Sequence, residues 1–164
     1  MGGVLIVLLV AAGCNGGSSD ESDDLKSRQV RRFLDRDLNE GAVNPVAVTD
    51  VRCPRTVTRR DTARAVCQVT INGTPVELNI ERSRQGRLSR REAVIVVPKT
   101  EEFVARQYDA RLGLAVIVEC GAEELLAVEP GATIQCTATD ADGAAVTPVV
   151  TVDDLDGLVT VALA

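Results

Sequence analysis

The segment "CQVTINGTPVELNI" (residues 67–80) places runs of alternating apolar and polar residues on either side of Asn72-Gly73. Asn-Gly is among the strongest two-residue hairpin signals, because both turn positions take positive φ. The alternation predicts two strands, each with one buried face and one solvated face. The residues predicted to be buried are Ala63, Ala65, Cys67, Val69 and Ile71 before the turn, and Val76, Leu78 and Ile80 after it.

A second segment, "CTATDADG" (residues 136–143), repeats this pattern. Both segments begin Cys-x-x-Thr and reach a hairpin signal, which is Asn72-Gly73 in the first and Asp142-Gly143 in the second. Two similar segments in one chain predict a repeated structural unit. The predicted buried faces of its strands are Leu114, Val116, Val118 and Cys120, and Ala132, Ile134, Cys136 and Ala138.

The cysteine spacing is repeated as well. Thirteen residues separate Cys53 from Cys67, and fifteen separate Cys120 from Cys136. Four cysteines allow three disulfide pairings, and the matched spacing favours Cys53–Cys67 and Cys120–Cys136. A zinc site is the alternative, but it would need close CxxC pairs, which the sequence lacks.

A helical pattern precedes each group of strands, which predicts an α+β fold. We expect tandem units, each with one helix packed on a four-stranded antiparallel meander, over residues 24–97 and 98–164. The first helix has the apolar stripe Val30, Phe33, Leu34 and Leu38, with Asp23 and Asp24 at its start and Gly41 after its end. The second has Thr100 as its expected N-cap, the apolar face Phe103, Val104, Tyr108 and Leu112, and Gly113 at its end.

The residues before the first helix predict export and a lipid anchor. Residues 4–12 form an apolar run of nine residues, too short to cross a bilayer, which needs about 20, but suited to a signal peptide over residues 1–13. The "AAGC" that follows resembles the bacterial lipobox. The resemblance implies that Ala11, Ala12 and Gly13 form the signal-cleavage site and that Cys14 is lipidated. Residues 14–23 are small or acidic and are predicted to form a disordered tether.

The two cysteine-containing segments also resemble a protein family. "VRCP" (51–54) and "PGATIQCTATDADG" (130–143) resemble the DUF4333-type domains of actinobacterial envelope proteins. The resemblance implies a lipoprotein with two such domains, anchored in the cell membrane on its extracytoplasmic face. It implies no chemistry, because no activity is established for the family.

Composition argues against an enzyme. The chain has no histidine, which removes the commonest general base and every Ser-His or Cys-His pair. GxSxG, P-loop and GxGxxG motifs are missing from the sequence. The acidic segments "DADG" (140–143) and "DDLDG" (153–157) are better explained as turns than as calcium loops. We therefore expect no catalytic residue, no metal and no cofactor.

Charge divides the two predicted units. Residues 43–97 contain ten arginines and five acids, whereas residues 114–164 contain nine acids and no lysine or arginine. The first unit is therefore predicted to carry a basic sheet and the second an acidic sheet. Three interpretations remain open: the units dock on each other, the chain associates head to tail, or a basic patch contacts anionic lipid or envelope glycan. The candidate patch consists of Arg82, Arg84, Arg87, Arg90 and Arg91.

These features favour a membrane-anchored, non-catalytic binding or adaptor module of the cell envelope. Its expected partners are the membrane, through the lipid, and an anionic lipid, an envelope glycan or an envelope protein. The net charge of −6 argues against nucleic acid. The alternative is a secreted-type protein inhibitor or decoy. Only three residues of the chain are aromatic, and binding hot spots favour Trp and Tyr, so the inhibitor is the weaker hypothesis.

Overall fold

The computed structural model describes residues 25–40, 45–53, 57–59 and 62–163. These residues form two helices and several antiparallel sheets, so the predicted α+β class is confirmed. The helices are α1 (Ser27–Asp37) and α2 (Val97–Leu112). The strands are β1 (Val48–Arg52), β2 (Val57–Arg59), β3 (Thr62–Ile71), β4 (Thr74–Arg82), β5 (Leu88–Arg90), β6 (Ala93–Val96), β7 (Val116–Glu119), β8 (Leu125–Val128), β9 (Thr133–Gln135), β10 (Thr137–Asp140), β11 (Ala145–Val146), β12 (Val149–Val152) and β13 (Val159–Ala162).

The first sheet is built around the predicted hairpin. Strands β3 and β4 pair antiparallel up to Ile71↔Thr74, and Asn72 and Gly73 make the turn with φ of 51° and 89°. Strand β1 pairs with the other side of β3, β5 pairs with β4, and β2 pairs with β3 beside β1. The predicted inward residues of β3 are all buried, and those of β4 are buried or half-buried. The predicted alternation is therefore confirmed.

Helix α1 covers one face of this sheet with its apolar stripe. Val30 and Leu34 are fully buried, while Phe33 and Leu38 pack at the edge of the same cluster. We call this cluster, formed by α1 with β1, β3 and β4, the first core. The residues predicted to flank the helix, Asp23, Asp24 and Gly41, lie outside the described residues.

The acidic part of the chain forms a second group of strands. Strand β9 pairs with β12 and β10 pairs with β11, and both pairings keep the same register. Between them, the amide of Cys136 donates to the carbonyl oxygen of Pro148 at 3.1 Å. Strand β7 pairs with the free side of β10, and β13 with the free side of β12. Their inward side chains and those of α2, including Val104 and Val150, form the second core.

Strands β6 and β8 form a two-stranded ribbon between the two cores. Ala93, Ile95, Leu126 and Val128 pack on the second core. Val94, Val96, Leu125 and Ala127, on the opposite face, pack on the first core. Because each face packs against a core, the sequences "AVIV" and "LLAV" lack the apolar–polar alternation of a half-exposed strand. The ribbon also pairs a strand from residues 24–97 with one from residues 98–164.

Helix α2 begins earlier than the sequence predicts. Its first residue is Val97, and the amide of Val97 donates to the carbonyl oxygen of Glu124 at 3.0 Å. Thr100 is therefore not the N-cap. Its hydroxyl instead donates to the carbonyl of the residue four positions earlier, at 3.3 Å. Gly113 ends the helix with a φ of 66°, as predicted. The predicted boundary between units, at residues 97–98, falls in the first turn of this helix.

The Asp142-Gly143 turn differs from the predicted two-residue type. Only Gly143 takes positive φ, at 82°. Its amide donates to the carbonyl of Asp140 at 3.2 Å, and the Asp140 carboxylate accepts the amides of Asp142 and Ala144 at 3.0 and 2.8 Å. A type I turn followed by a left-handed glycine is the usual three-residue hairpin loop. The aspartate side chain therefore stabilises the turn, in line with the interpretation of "DADG" as turn chemistry.

Both predicted disulfides are present. Cys53 pairs with Cys67 and Cys120 pairs with Cys136, with Cα–Cα distances of 4.3 and 4.1 Å. Cys67, Cys120 and Cys136 are buried, on the predicted inward faces of their strands. Each bridge contributes to a different core: Cys67 to the first, and Cys120 and Cys136 to the second.

Candidate functional site

The five arginines of the candidate patch occupy two ends of one hairpin. Arg82 ends β4, and Arg84 and Arg87 lie in the turn that joins β4 to β5. Arg90 and Arg91 lie at the other end of β5. Arg84, Arg87 and Arg91 are exposed, Arg82 is half-buried, and Arg90 is only 6% exposed. The structure therefore brings Arg82, Arg84 and Arg87 together but separates them from Arg90 and Arg91.

Arg90 links three parts of the fold. Its Nε donates to Oδ2 of Asp37, at the end of α1, at 2.6 Å. Its Nη1 donates to the carbonyl oxygens of Glu92, at 2.7 Å, and of Leu155, between β12 and β13, at 2.6 Å. The planar guanidinium group presents its donors as a rigid fork, which suits several fixed acceptors at once. Arg90 is thus an internal connector and is not available at the surface.

Arg91 and Thr74 also make contacts that cross from the basic to the acidic part of the chain. Arg91 Nη2 lies 3.3 Å from Oε1 of Glu129 and its Nε 3.9 Å from Oε1 of Glu81. The Thr74 hydroxyl donates to Oε2 of Glu124 at 2.8 Å. Docking between the two parts, one of the three interpretations of the charge division, therefore accounts for Arg90 and Arg91.

The turn that carries Arg84 and Arg87 is held by its own hydrogen bonds. The amide of Gly86 donates to the carbonyl of Ser83 at 2.9 Å, and the amide of Ser83 donates to the carbonyl of Arg87 at 2.9 Å. The Ser83 hydroxyl oxygen accepts the amide of Arg87 at 3.2 Å. Gly86 takes a φ of 80°, which a residue with a Cβ adopts only with strain. The backbone of Arg87 is therefore held in a defined conformation.

A groove runs between this turn and helix α1. Its volume is about 390 Å³. The side chains of α1 that line it lie at i, i+3, i+4 and i+7, which is one face of a helix. The lining residues are Gln29, Arg32, Phe33 and Arg36 from α1, and Gly86, Arg87 and Leu88 from the turn and β5. Guanidinium groups in such a groove can bind carboxylate or phosphate oxygens through paired N–H donors.

The sequence indicated Arg87 as a surface residue but missed Arg32 and Arg36. On α1, Arg32 directly precedes Phe33 and Arg36 follows it by three residues. The apolar stripe defined which face of α1 is buried, and the same periodicity places these arginines at the edge of that face. The turn that packs against that edge lies more than 40 residues later, so the sequence does not reveal the contact between them.

The anchoring residues predicted from the sequence lie outside the described residues. These are Ala11, Ala12, Gly13 and Cys14, together with the tether that follows them. Among the residues that the structure does describe, no helix combines the length and apolar character needed to cross a membrane.

Comparison with known proteins identified no relative. No family model, no curated protein and no solved structure matches this chain.

Proposed function

We propose that this chain is a lipid-anchored, non-catalytic binding module of the bacterial cell envelope. The observation that carries the proposal is the combination of a lipobox-like "AAGC" with two disulfides in the folded part. Disulfides persist in oxidising compartments outside the cytoplasm, which is where a lipoprotein signal would direct the chain. Residues 15–24 then separate Cys14 from the first described residue, Leu25. Ten extended residues span roughly 33 Å, enough to hold the fold away from the bilayer.

We propose further that the folded part consists of two copies of one helix-on-meander unit, as in the DUF4333-like domains that the sequence resembles. Strand β9 pairs with β12 and β10 with β11 in one constant register. This supports treating β9 and β10 as one long strand and β11 and β12 as another. With β7 and β13 on either side, the order then matches that of β1, β3, β4 and β5. The β6–β8 ribbon and Arg90 would fasten the two units into one body.

The proposed partner is an anionic envelope surface, which contacts the turn between β4 and β5. Arg84 and Arg87 are exposed there, and this turn packs beside α1, the element nearest the tether in sequence. Each basic residue near an anionic membrane contributes about 1 kcal/mol of attraction. Arg90 is excluded from this surface by its burial.

The anchoring is tested by fractionating a bacterial host that expresses the full chain. Wild type should remain with the membranes after a high-salt wash, which weakens purely electrostatic attachment. Cys14→Ser should move to the soluble fraction or retain its leader, whereas Ser19→Ala, a matched change in the tether, should behave as wild type. The same fraction and the same mass for wild type and Cys14→Ser would reject the proposal.

A further inference from the structure

We infer that the groove between α1 and the β4–β5 turn binds the phosphate group of an anionic lipid headgroup. This groove, lined by Gln29, Arg32, Phe33, Arg36, Gly86, Arg87 and Leu88, is hereafter the basic groove. It replaces the five-arginine patch with a defined site, two of whose arginines come from the helix. Its choice of a lipid as the phosphate source rests on the proposed membrane anchoring.

The charge of the basic groove favours an anionic ligand. Three guanidinium groups line the basic groove, and no carboxylate is among its lining residues. Within the described residues, the side chains of Arg32, Arg36 and Arg87 form no ion pair or hydrogen bond with another residue. Several other exposed arginines are neutralised locally, as Arg64 is by Glu81 at 3.0 Å and Arg106 by Glu102 at 2.6 Å. The basic groove therefore retains a local positive charge.

The donor chemistry of the basic groove suits a phosphate group. Arginine presents its N–H groups in a planar fork that matches phosphate oxygens two at a time. Gln29 adds an amide that can donate to a further oxygen. The backbone of Arg87 is held by the hydrogen bonds of Ser83 and Gly86, and the backbones of Arg32 and Arg36 by helix α1. Only the side-chain rotamers therefore remain to be ordered when an anion binds.

The size and the apolar lining of the basic groove favour a phosphate that is part of a larger molecule. The volume of about 390 Å³ lies in the range of sites for small organic ligands, roughly 300–1,000 Å³, and exceeds what one inorganic phosphate fills. Phe33 and Leu88, both half-buried, supply apolar surface next to the guanidinium groups. An anionic phospholipid offers a phosphate joined to glycerol, with apolar acyl chains beyond the glycerol.

The tether provides a competing occupant within the chain. Asp20, Glu21, Asp23 and Asp24 come just before α1, and four carboxylates could also satisfy three arginines. A phosphate is tetrahedral and a carboxylate is planar, so arginines from α1 and from the turn can approach one phosphate from different sides. The experiment therefore includes a variant in which these four acids are changed to serine.

The test uses the full chain in a neutral detergent, with NMR chemical shifts of the Gly86 and Arg87 amides as the readout. The probes are dihexanoyl phosphatidylglycerol, dihexanoyl phosphatidylcholine as the zwitterionic control, and inorganic phosphate. The groove variant is Arg32→Ser with Arg36→Ser and Arg87→Ser. The matched control removes the same charge from three exposed, paired arginines: Arg52→Ser, Arg64→Ser and Arg106→Ser.

Phosphatidylglycerol should bind wild type and the matched control saturably, with inorganic phosphate competing more weakly. The groove variant should bind at least about tenfold more weakly, because three basic contacts are lost and each tenfold corresponds to roughly 1.4 kcal/mol. Equal affinity for phosphate and for the lipid would assign the site to free phosphate and overturn the lipid source. Equal losses in both triple variants would overturn the site itself. Binding only after the tether acids are removed would assign the groove to the tether and overturn lipid binding by the wild-type chain. Because the protein is in detergent, none of these outcomes depends on modification of Cys14.

Discussion

Replacing Arg90 with alanine should destabilise the fold more than any other single arginine substitution among the described residues. The change removes two charge-assisted hydrogen bonds to the carbonyls of Glu92 and Leu155, each worth about 1.5–3 kcal/mol. It also leaves Asp37 without its partner at 2.6 Å. The Asp37 side chain is 34% exposed, so water recovers part of that loss. We expect a decrease of about 3–5 kcal/mol in the free energy of unfolding, the range found for breaking buried ion pairs.

The assay is urea denaturation followed by far-UV circular dichroism, with wild type, Arg90→Ala, Arg90→Lys and Arg64→Ala compared in one buffer. Arg90→Lys keeps the charge but replaces the fork with a single ammonium group, so it should fall between wild type and alanine. Arg64 is 56% exposed and pairs with Glu81 on the surface, so its removal should cost less than about 1 kcal/mol. Losses of similar, small size for Arg90→Ala and Arg64→Ala would refute the view that Arg90 fastens the two parts of the fold.

Two further predictions concern the second core. Changing both Cys120 and Cys136 to alanine opens a loop with a sequence separation of 16 and should lower the free energy of unfolding, measured by urea denaturation, by about 3 kcal/mol. A decrease below about 1 kcal/mol, or a Cys67–Cys120 peptide in non-reducing mass mapping, would contradict the pairing. The hydroxyl of Tyr108 is buried and has no hydrogen-bond partner within the described residues, so Tyr108→Phe should leave the stability unchanged or raise it by up to about 1 kcal/mol. If thermal denaturation shows Tyr108→Phe to be less stable than wild type by more than about 1 kcal/mol, the hydroxyl does make a stabilising contact.

The sequence predicted those features that depend on local periodicity. The alternation around Asn72-Gly73 and the stripe of α1 follow from which residues must face a core, and the structure has both. The Asp142-Gly143 turn differs from the predicted two-residue type because Asp140, two residues before it, contributes a carboxylate that stabilises a longer loop.

The connections between distant parts could not be predicted. The "AVIV" and "LLAV" strands of the β6–β8 ribbon pack against a core on each face, so they lack the two-residue period that identifies a strand. Arg90 resembled its neighbours in an arginine-rich segment, and its partner Asp37 lies 53 residues away. Likewise, the arginines of the basic groove come together only because the turn between β4 and β5 packs beside α1.

The proposal that the chain is a lipid-anchored envelope protein is tested most directly by the mass of its mature N-terminus. The full chain is expressed in a bacterial host, extracted from the membrane with detergent and digested with trypsin. The account predicts a peptide from Cys14 to Lys26, "CNGGSSDESDDLK", carrying lipid on Cys14. An N-terminal peptide that still includes the residues before Cys14, with Cys14 unmodified, would contradict the account.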